Sequence, residues 1–514
     1  MVIKVLLLLV FFAGTISVGI YFRKRAASVD DFVLGGRTIG TWLTAFAYGT
    51  TYFSAVVFVG YAGQFGWLFG TSAVWIGIGN AFVGSLMAWF ILGRRTRIMT
   101  NHLKSATMPE FFGTRFNSTA LKIGASLIIF VFLIPYTASL YNGLSRLFSM
   151  AFGVDFIYCI IAMAIVTAIY VVAGGYFATA VNDFVQGMVM LIGIIAVITV
   201  VLRANGGFTQ AIDSLARIED PSVSPGAYTS FFGPNPINLL GVVILTSLGT
   251  WGLPQMVARF YSIKNENMIT KGAVVSTIFA IFIAGGSYFL GSFGRLYSDV
   301  VERNASGGII FDSIIPRILS QFPDFLIGIV IVLVFAASIS TLSSLVMASS
   351  STLTLDFIKG HIVKKINDKK QLVIIRIFIV VFIAISSIIA IIQYRGGISF
   401  IAQLMGVSWG ALAGSFLAPF LYSLYWKRTT RASVWCSFVF STVLMVLNIF
   451  FRSSFPAILQ SPINAGAFVM LAGLLIVPVV SLITKAPEKS SVDKSFSCYE
   501  EKVTVRASDA LGSE

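Results

Sequence analysis

The sequence predicts an all-α membrane protein of about thirteen transmembrane helices, ordered as two inverted five-helix repeats with further helices at either end. Three observations carry this expectation: the composition, the alternation of basic clusters, and a pair of interrupted helices in matching positions. Of 514 residues, 57% are hydrophobic and only 11% charged, and the mean hydropathy is +0.89. A soluble chain carries about a quarter charged residues, so this much apolar surface requires lipid. The formal net charge of +15 falls in short basic clusters between apolar runs. That distribution marks membrane orientation and excludes a nucleic-acid-binding face.

Apolar runs long enough to cross a hydrocarbon layer of about 30 Å lie at 3–22, 41–64, 67–92, 118–143, 154–173, 183–203, 237–257, 272–294, 324–350, 371–393, 398–424, 433–451 and 464–484. In the first, Lys4 precedes a leucine-rich core as in a secretory signal, but the long apolar run and the following Arg23, Lys24 and Arg25 mark a retained helix rather than a cleaved leader. Further basic clusters at Arg94, Arg95 and Arg97, at Arg259 and Lys264, from Lys359 to Lys370, and at Lys427, Arg428 and Arg431 follow alternate spans. The positive-inside rule makes that side cytoplasmic, which puts the N-terminus outside and the C-terminus inside a plasma (inner) membrane. The loops around 203–236 and 295–323 mix Arg with Asp and Glu, as outer loops do.

The expected organisation is an extra helix and cytoplasmic link (1–40), a first repeat (41–204), an extracellular loop (205–236), an inverted second repeat (237–426), two C-terminal helices (427–484) and a loose cytoplasmic tail (485–514). Cys159, Cys436 and Cys498 are far apart, and His102 and His361 sit in basic loops, so neither a disulfide framework nor a metal site of His and Cys is suggested.

The second and seventh spans contain the interruptions. One reads Ala47-Tyr-Gly-Thr-Thr-Tyr-Phe-Ser54, the other Ser247-Leu-Gly-Thr-Trp-Gly-Leu-Pro254. Gly and Pro free backbone carbonyls and amides at mid-membrane, which is tolerated where a cavity or ligand satisfies them again. Each interruption opens a set of five spans, and an odd number inverts the second set. Paired discontinuous helices in inverted repeats point to a secondary transporter with its site near the midplane. A facing stretch, Phe335-Ala-Ala-Ser-Ile-Ser-Thr-Leu-Ser-Ser344, concentrates hydroxyls where lipid would reject them. Ala337, Ser340 and Thr341 stand at i, i+3 and i+4, so a carbonyl and two hydroxyls share one helix face and suit a small hard cation. Close packing by small residues accounts for Ser343, Ser344 and Ser349 to Ser351.

Several motifs in order resemble the sodium:solute symporter family, whose members carry sugars, proline, pantothenate, monocarboxylates or iodide with sodium. Asp30-Asp-Phe-Val-Leu-Gly-Gly-Arg37 resembles the entry to the family's first core helix. Tyr170-Val-Val-Ala-Gly-Gly-Tyr-Phe-Ala178 with Asn182-Asp-Phe-Val-Gln186 is similar to its signature, with Tyr176 where Leu, Met or Phe is usual. Leu253-Pro-Gln-Met-Val-Ala-Arg-Phe260 is similar to the end of the sixth core helix of proline carriers, and Trp409-Gly-Ala-Leu-Ala-Gly414 through Tyr425-Trp-Lys-Arg428 to the tenth.

The resemblance implies a LeuT-type fold and sodium-coupled symport of a small organic solute, a monocarboxylate or an amino acid such as proline. It further implies sodium ligands at Ala337, Ser340 and Thr341, with the carbonyls of Thr50 and Phe53 across from them. For Asp183 two readings stand: a helix cap beside Asn182, or an acid on the sodium pathway. Proline carriers place an Asp where this chain has Tyr52. The solute cavity is expected among Tyr52, Ser54, Gln64, Pro135, Tyr136, Thr246, Thr250, Trp251 and Gln403. Sugar carriers grip hydroxyls with a Glu on the second core helix, and here Thr71-Ser-Ala-Val-Trp75 offers Val74, which disfavours sugar. A sodium-coupled carrier of a sugar, sialic acid or vitamin is the alternative within this class, and an ion channel the alternative outside it. The spans lack the convergent acids, histidines or nucleophile–base pairs of an enzyme. Sodium, a small solute and lipid are the expected partners, with no nucleic acid and no obligatory protein.

Overall fold

The computed structural model describes residues 2–22, 28–362, 366–395 and 401–500. The basic triplet Arg23, Lys24 and Arg25, the predicted start of a span at 398, and the tail from 501 to 514 lie outside the described residues. Apart from two isolated bridges, Ile39 with Ile263 and Arg303 with Ile309, regular structure among the described residues is helical.

An entry helix, Val2–Phe22, precedes the core. Its buried Lys4 bridges Asp324 (2.9 Å) and donates to the Ala151 carbonyl (3.0 Å). Ser28 then caps the short helix Val29–Leu34, and Gly35 at φ +61° ends it. Core helix 1 runs as Thr41–Tyr52 and, after an extended break at Phe53 and Ser54, over 55–69. Gly70 at φ +58° ends it, and core helix 2 follows over 74–102. The predicted boundaries, 41–64 and 67–92, therefore shift. Gly66, between the two predicted spans, lies inside a helix and serves a close crossing.

Thr107 caps the inner connecting helix Met108–Arg115 with Pro109 in its first turn, and Ser118 caps core helix 3, Thr119–Phe152. The helical run Phe156–Ala204 turns over at Gly175 (φ +62°, ψ −173°), which divides it into core helices 4 and 5. Core helix 6 is Pro236–Leu248, then a tight turn Gly249–Trp251, then Pro254–Tyr261. Core helix 7 spans 268–297, core helix 8 begins at Asp324, core helix 9 is Asp368–Arg395 and core helix 10 is Ile401–Tyr425. The helices Arg431–Phe450 and Pro462–Ile483 follow.

Among the described residues, eleven helices are long and apolar enough to cross a membrane. Dividing 56–102 at Gly70 and adding the shorter Phe156–Ile169 gives the thirteen crossings that the sequence predicts. One expectation fails. Residues 489–499 of the tail are helical and packed beside Arg95, His102 and Arg115, where Val492, Phe496 and Cys498 are buried.

Core helices 1, 2 and 7 cross backbone to backbone. A Cβ on Gly66 would lie 2.0 Å from the Gly291 carbonyl carbon, one on Gly291 1.9 Å from Ala62 O, and one on Gly77 2.5 Å from Gly285 Cα. Small residues allow such approach where lipid supplies no hydrophobic drive between helices. Gly291→Leu is expected to abolish the monodisperse peak on size-exclusion chromatography in detergent, since overpacking a tight contact costs about 1–3 kcal/mol or more. Gly285→Ala, whose added Cβ meets nothing within 4 Å, is expected to leave that peak intact. Equal tolerance of both changes would refute the crossing.

Candidate functional site

Core helix 1 stops at Tyr52 because Phe53 adopts extended geometry (φ −105°, ψ 125°). The carbonyls of its last turn are thereby released from helical bonding, and core helix 8 packs against them. Thr341 Oγ1 lies 3.1 Å from Ala337 O, 3.2 Å from Thr51 O and 3.4 Å from Thr50 O. Ser340 Oγ is 2.9 Å from Thr50 Oγ1, which donates in turn to Phe46 O (2.8 Å). Thr50, Ser340 and Thr341 are fully buried. A hydroxyl has one hydrogen, so three carbonyls converge on a single donor. This surplus of neutral oxygen acceptors makes a negative pocket with the chemistry that hard cations select.

The far side of the break is also held by core helix 8. Ser338 Oγ accepts from Ala55 N (3.1 Å), and Ser54 Oγ accepts from Val56 N (3.2 Å). The Phe53 ring packs on Tyr52, with centroids 4.6 Å apart.

Asp183 is not a cap. Its helix begins at Gly175, so Asp183 sits two turns inside, fully buried, while Asn182 donates to Thr15 O (3.2 Å) on the entry helix. Asp183 Oδ2 is 3.2 Å from Arg259 Nη2. The same nitrogen is 2.5 Å from Thr51 Oγ1 and 2.5 Å from Ser344 Oγ. Arg259 therefore joins core helices 1, 5, 6 and 8 directly inward of the oxygen cluster. Positive-inside counting treats Arg259 as an orientation charge, but it is buried, its guanidinium 5.0 Å from the Tyr176 ring centroid. Its sequence signal was its place five residues after Pro254, still close to the interruption. A cavity of about 50 Å³ is lined by Arg259, Ser344, Tyr176, Gln255 and Thr107.

Between the two breaks stands an aromatic cluster. The Tyr52 hydroxyl donates to Thr246 O, and its ring stacks on Trp409 (5.9 Å, 24°). Tyr136 meets the same indole edge-on (5.9 Å, 76°), positioned one residue after the helix-interior Pro135. Thr246 Oγ1 reaches Asn80 Oδ1 at 2.8 Å. Trp409 and Asn80 are absent from the predicted site. An indole amid the small residues of Ser408-Trp-Gly-Ala-Leu-Ala-Gly414 was the available sign of the first.

Other predicted solute contacts lie apart from this cluster or are engaged elsewhere. Thr250 donates to Gly84 O (2.9 Å) and Trp251 to Val83 O (2.9 Å), fastening core helix 6 to core helix 2. Gln64 lines a separate vestibule of about 380 Å³ with Tyr228, Arg295 and Asn464. Gln403 accepts from Arg452 (3.2 Å) at the outer end of core helix 10. Val74 opens core helix 2, half-buried, where Thr71 and Trp75 donate to the outer-loop carbonyls of Tyr228 and Phe231.

Comparison with known proteins agrees with this architecture. The model of the sodium:solute symporter family matches residues 32–440. The sodium/proline symporter of Staphylococcus aureus (strain JH9) is 29% identical over 495 residues, 94% of this chain and 93% of that one. The osmoregulated proline transporter OpuE of Bacillus subtilis (strain 168) is 27% identical over 485 residues, 94% and 95% of the two chains. Among solved structures, a substrate-bound, outward-open sodium-coupled sialic acid symporter superposes with a TM-score of 0.72 at 17% identity, over 95% of this chain and 99% of that one. The nucleobase-cation symporter Mhp1 in a closed conformation gives 0.51 at 13% identity, over 90% and 97%. These two likenesses establish the shared LeuT-type fold.

Proposed function

The chain belongs to the sodium:solute symporter family, and from that premise we propose that it imports proline, or an amino acid of similar size, with sodium by alternating access. It is a multi-pass membrane transporter and sodium is its coupling ion. In this reading it resides in the plasma (inner) membrane with its N-terminus outside and its C-terminus in the cytoplasm. Sodium is held by the carbonyls of Thr50, Phe53 and Ala337 and the hydroxyls of Ser340 and Thr341. The observation that carries this assignment is the convergence of the Thr50 and Ala337 carbonyls, together with that of Thr51, on the single Thr341 hydrogen; the Phe53 carbonyl is included as the family resemblance implies. Asp183 receives the ion as it leaves inward, and Arg259 shields that carboxylate until it does.

The solute lies beside this site, between the breaks. The walls offered by Tyr52, Tyr136 and Trp409 are apolar-faced and uncharged, which suits a compact ring more than a polyol. Proline is also the solute for which the Bacillus subtilis and Staphylococcus aureus relatives are named. A sugar would leave hydroxyls unpaired at about 1–3 kcal/mol each.

Purified protein in proteoliposomes is expected to accumulate labelled L-proline only under an inward sodium gradient, with excess unlabelled proline competing and glucose not. Sodium-driven accumulation of glucose without response to proline would overturn the solute assignment. Proline accumulation indifferent to sodium would overturn the coupling.

A further inference from the structure

The tail folds against the same side as the inner cavity. Lys489–Phe496 form a helix and Ser497–Tyr499 a further tight turn, burying Val492, Phe496 and Cys498. Their contacts fall on elements that frame the inner exit. His102, the last residue of core helix 2, has Nε2 2.8 Å from Lys494 O. The Tyr499 hydroxyl donates to Arg95 O (3.1 Å), and the Arg95 guanidinium lies 4.7 Å from the Tyr499 ring centroid and 4.2 Å from that of Tyr425. Phe496 covers the guanidinium of Arg115 at 4.9 Å, at the end of the connecting helix Met108–Arg115. Lys427, just past core helix 10, faces Asp493 (3.5 Å) and Glu500 (3.7 Å).

The placement of these anchors has a mechanical consequence. Ala106, Thr107 and Met108 form one wall of the inner cavity, in the stretch that joins core helix 2 to the connecting helix. The tail grips both flanks of that stretch, through His102 on one side and Arg115 on the other. Moving the wall aside while the flanks stay fixed would break these contacts.

The grip is also of a reversible kind. The Lys427 pairs are about half exposed, with side-chain exposures of 52%, 51% and 76%, so solvent and salt weaken them. Arg115 is buried, and its Nε and Nη2 make no hydrogen bond to any described residue. Loss of hydration lowers its pKa to about 10, and lifting Phe496 away gives that hydration back. Apolar burial and desolvation thus oppose one another across this contact.

We propose that residues 489–499 are an inner strap: docked, they hold the wall at 103–108 and slow inward opening, and undocked they release it. The proposal rests on the alternating-access reading above. Its test uses the full chain with Cys159 and Cys436 replaced by Ala, Cys498 by Val to keep an apolar side chain at that docking position, and a single reporter, Ala106→Cys, on the cavity wall. A membrane-impermeant maleimide is applied to the inner face of inverted vesicles. Phe496→Ala with Tyr499→Ala, and separately a stop after Pro487, are expected to speed labelling by about fivefold or more, as expected for a gate whose closed state has lost a modest stabilising contact. A synthetic peptide of residues 488–500 carrying Cys498→Val, and so without a thiol, is expected to slow labelling of the truncated protein again. Unchanged or slower labelling of the Phe496→Ala, Tyr499→Ala protein overturns the strap, as does a truncated, inserted protein that ignores the peptide. Labelling involves no solute, so this outcome is independent of whether proline is the cargo.

Discussion

Ser340→Ala combined with Thr341→Ala is expected to raise the sodium concentration for half-maximal uptake by about thirtyfold or more, while the protein still folds and inserts. Each change removes one buried oxygen that faces the break in core helix 1. A polar contact of this kind contributes roughly 1–2 kcal/mol, and 1.4 kcal/mol is tenfold in affinity. The lost volume is two hydroxyls and one Thr methyl group, a packing cost of about 1 kcal/mol that thirteen packed crossings absorb. Thr341→Ser, which keeps the hydroxyl, is the matched control and is expected to stay within severalfold of the parent. Sodium titration of proline uptake in proteoliposomes reads the effect. An unshifted titration in the double variant would remove these two side chains from the ion site.

The second large effect concerns Asp183 and Arg259. Breaking a buried ion pair by deleting one partner costs about 3–5 kcal/mol, because the remaining charge is stranded, whereas removing both costs far less. Arg259→Gln and Asp183→Asn are each expected to lower both uptake and thermal stability sharply. The combination of the two is expected to recover most of the stability but not the uptake, since the carboxylate proposed to receive the ion is gone. Thermal-shift assays and uptake measured on the same preparations separate these outcomes. Strictly additive losses in the double variant would show that the two side chains are not coupled, despite their 3.2 Å separation.

Much of the core is legible in the sequence because its signals are local. Hydropathy runs locate the crossings, and Gly and Pro within two of them locate the breaks, since backbone chemistry at one residue is sufficient to interrupt a helix. The hydroxyls of Ser340 and Thr341 stand out because oxygen in an apolar helix is costly without a partner. Boundaries are less legible: Gly66 falls between two predicted spans but is a crossing point against Gly291. The fold of the tail is hidden because its mixed charge masks three apolar residues, Val492, Phe496 and Cys498, that matter only when a receiving surface exists.

What the sequence by itself determined is therefore one-dimensional: that the chain lives in lipid, about where it crosses, where two helices are interrupted, and which short stretch sets hydroxyl oxygens in an apolar helix. Only the tertiary structure decided that Arg259 is buried against Asp183, that Trp409 stands between Tyr52 and Tyr136, and that Gln64 and Gln403 lie away from that aromatic cluster. The reason is that helix rotation is set by close contacts such as Gly66 with Gly291. In a membrane the side of a helix that faces its neighbours and the side that faces lipid are both apolar, so hydropathy alone does not tell them apart.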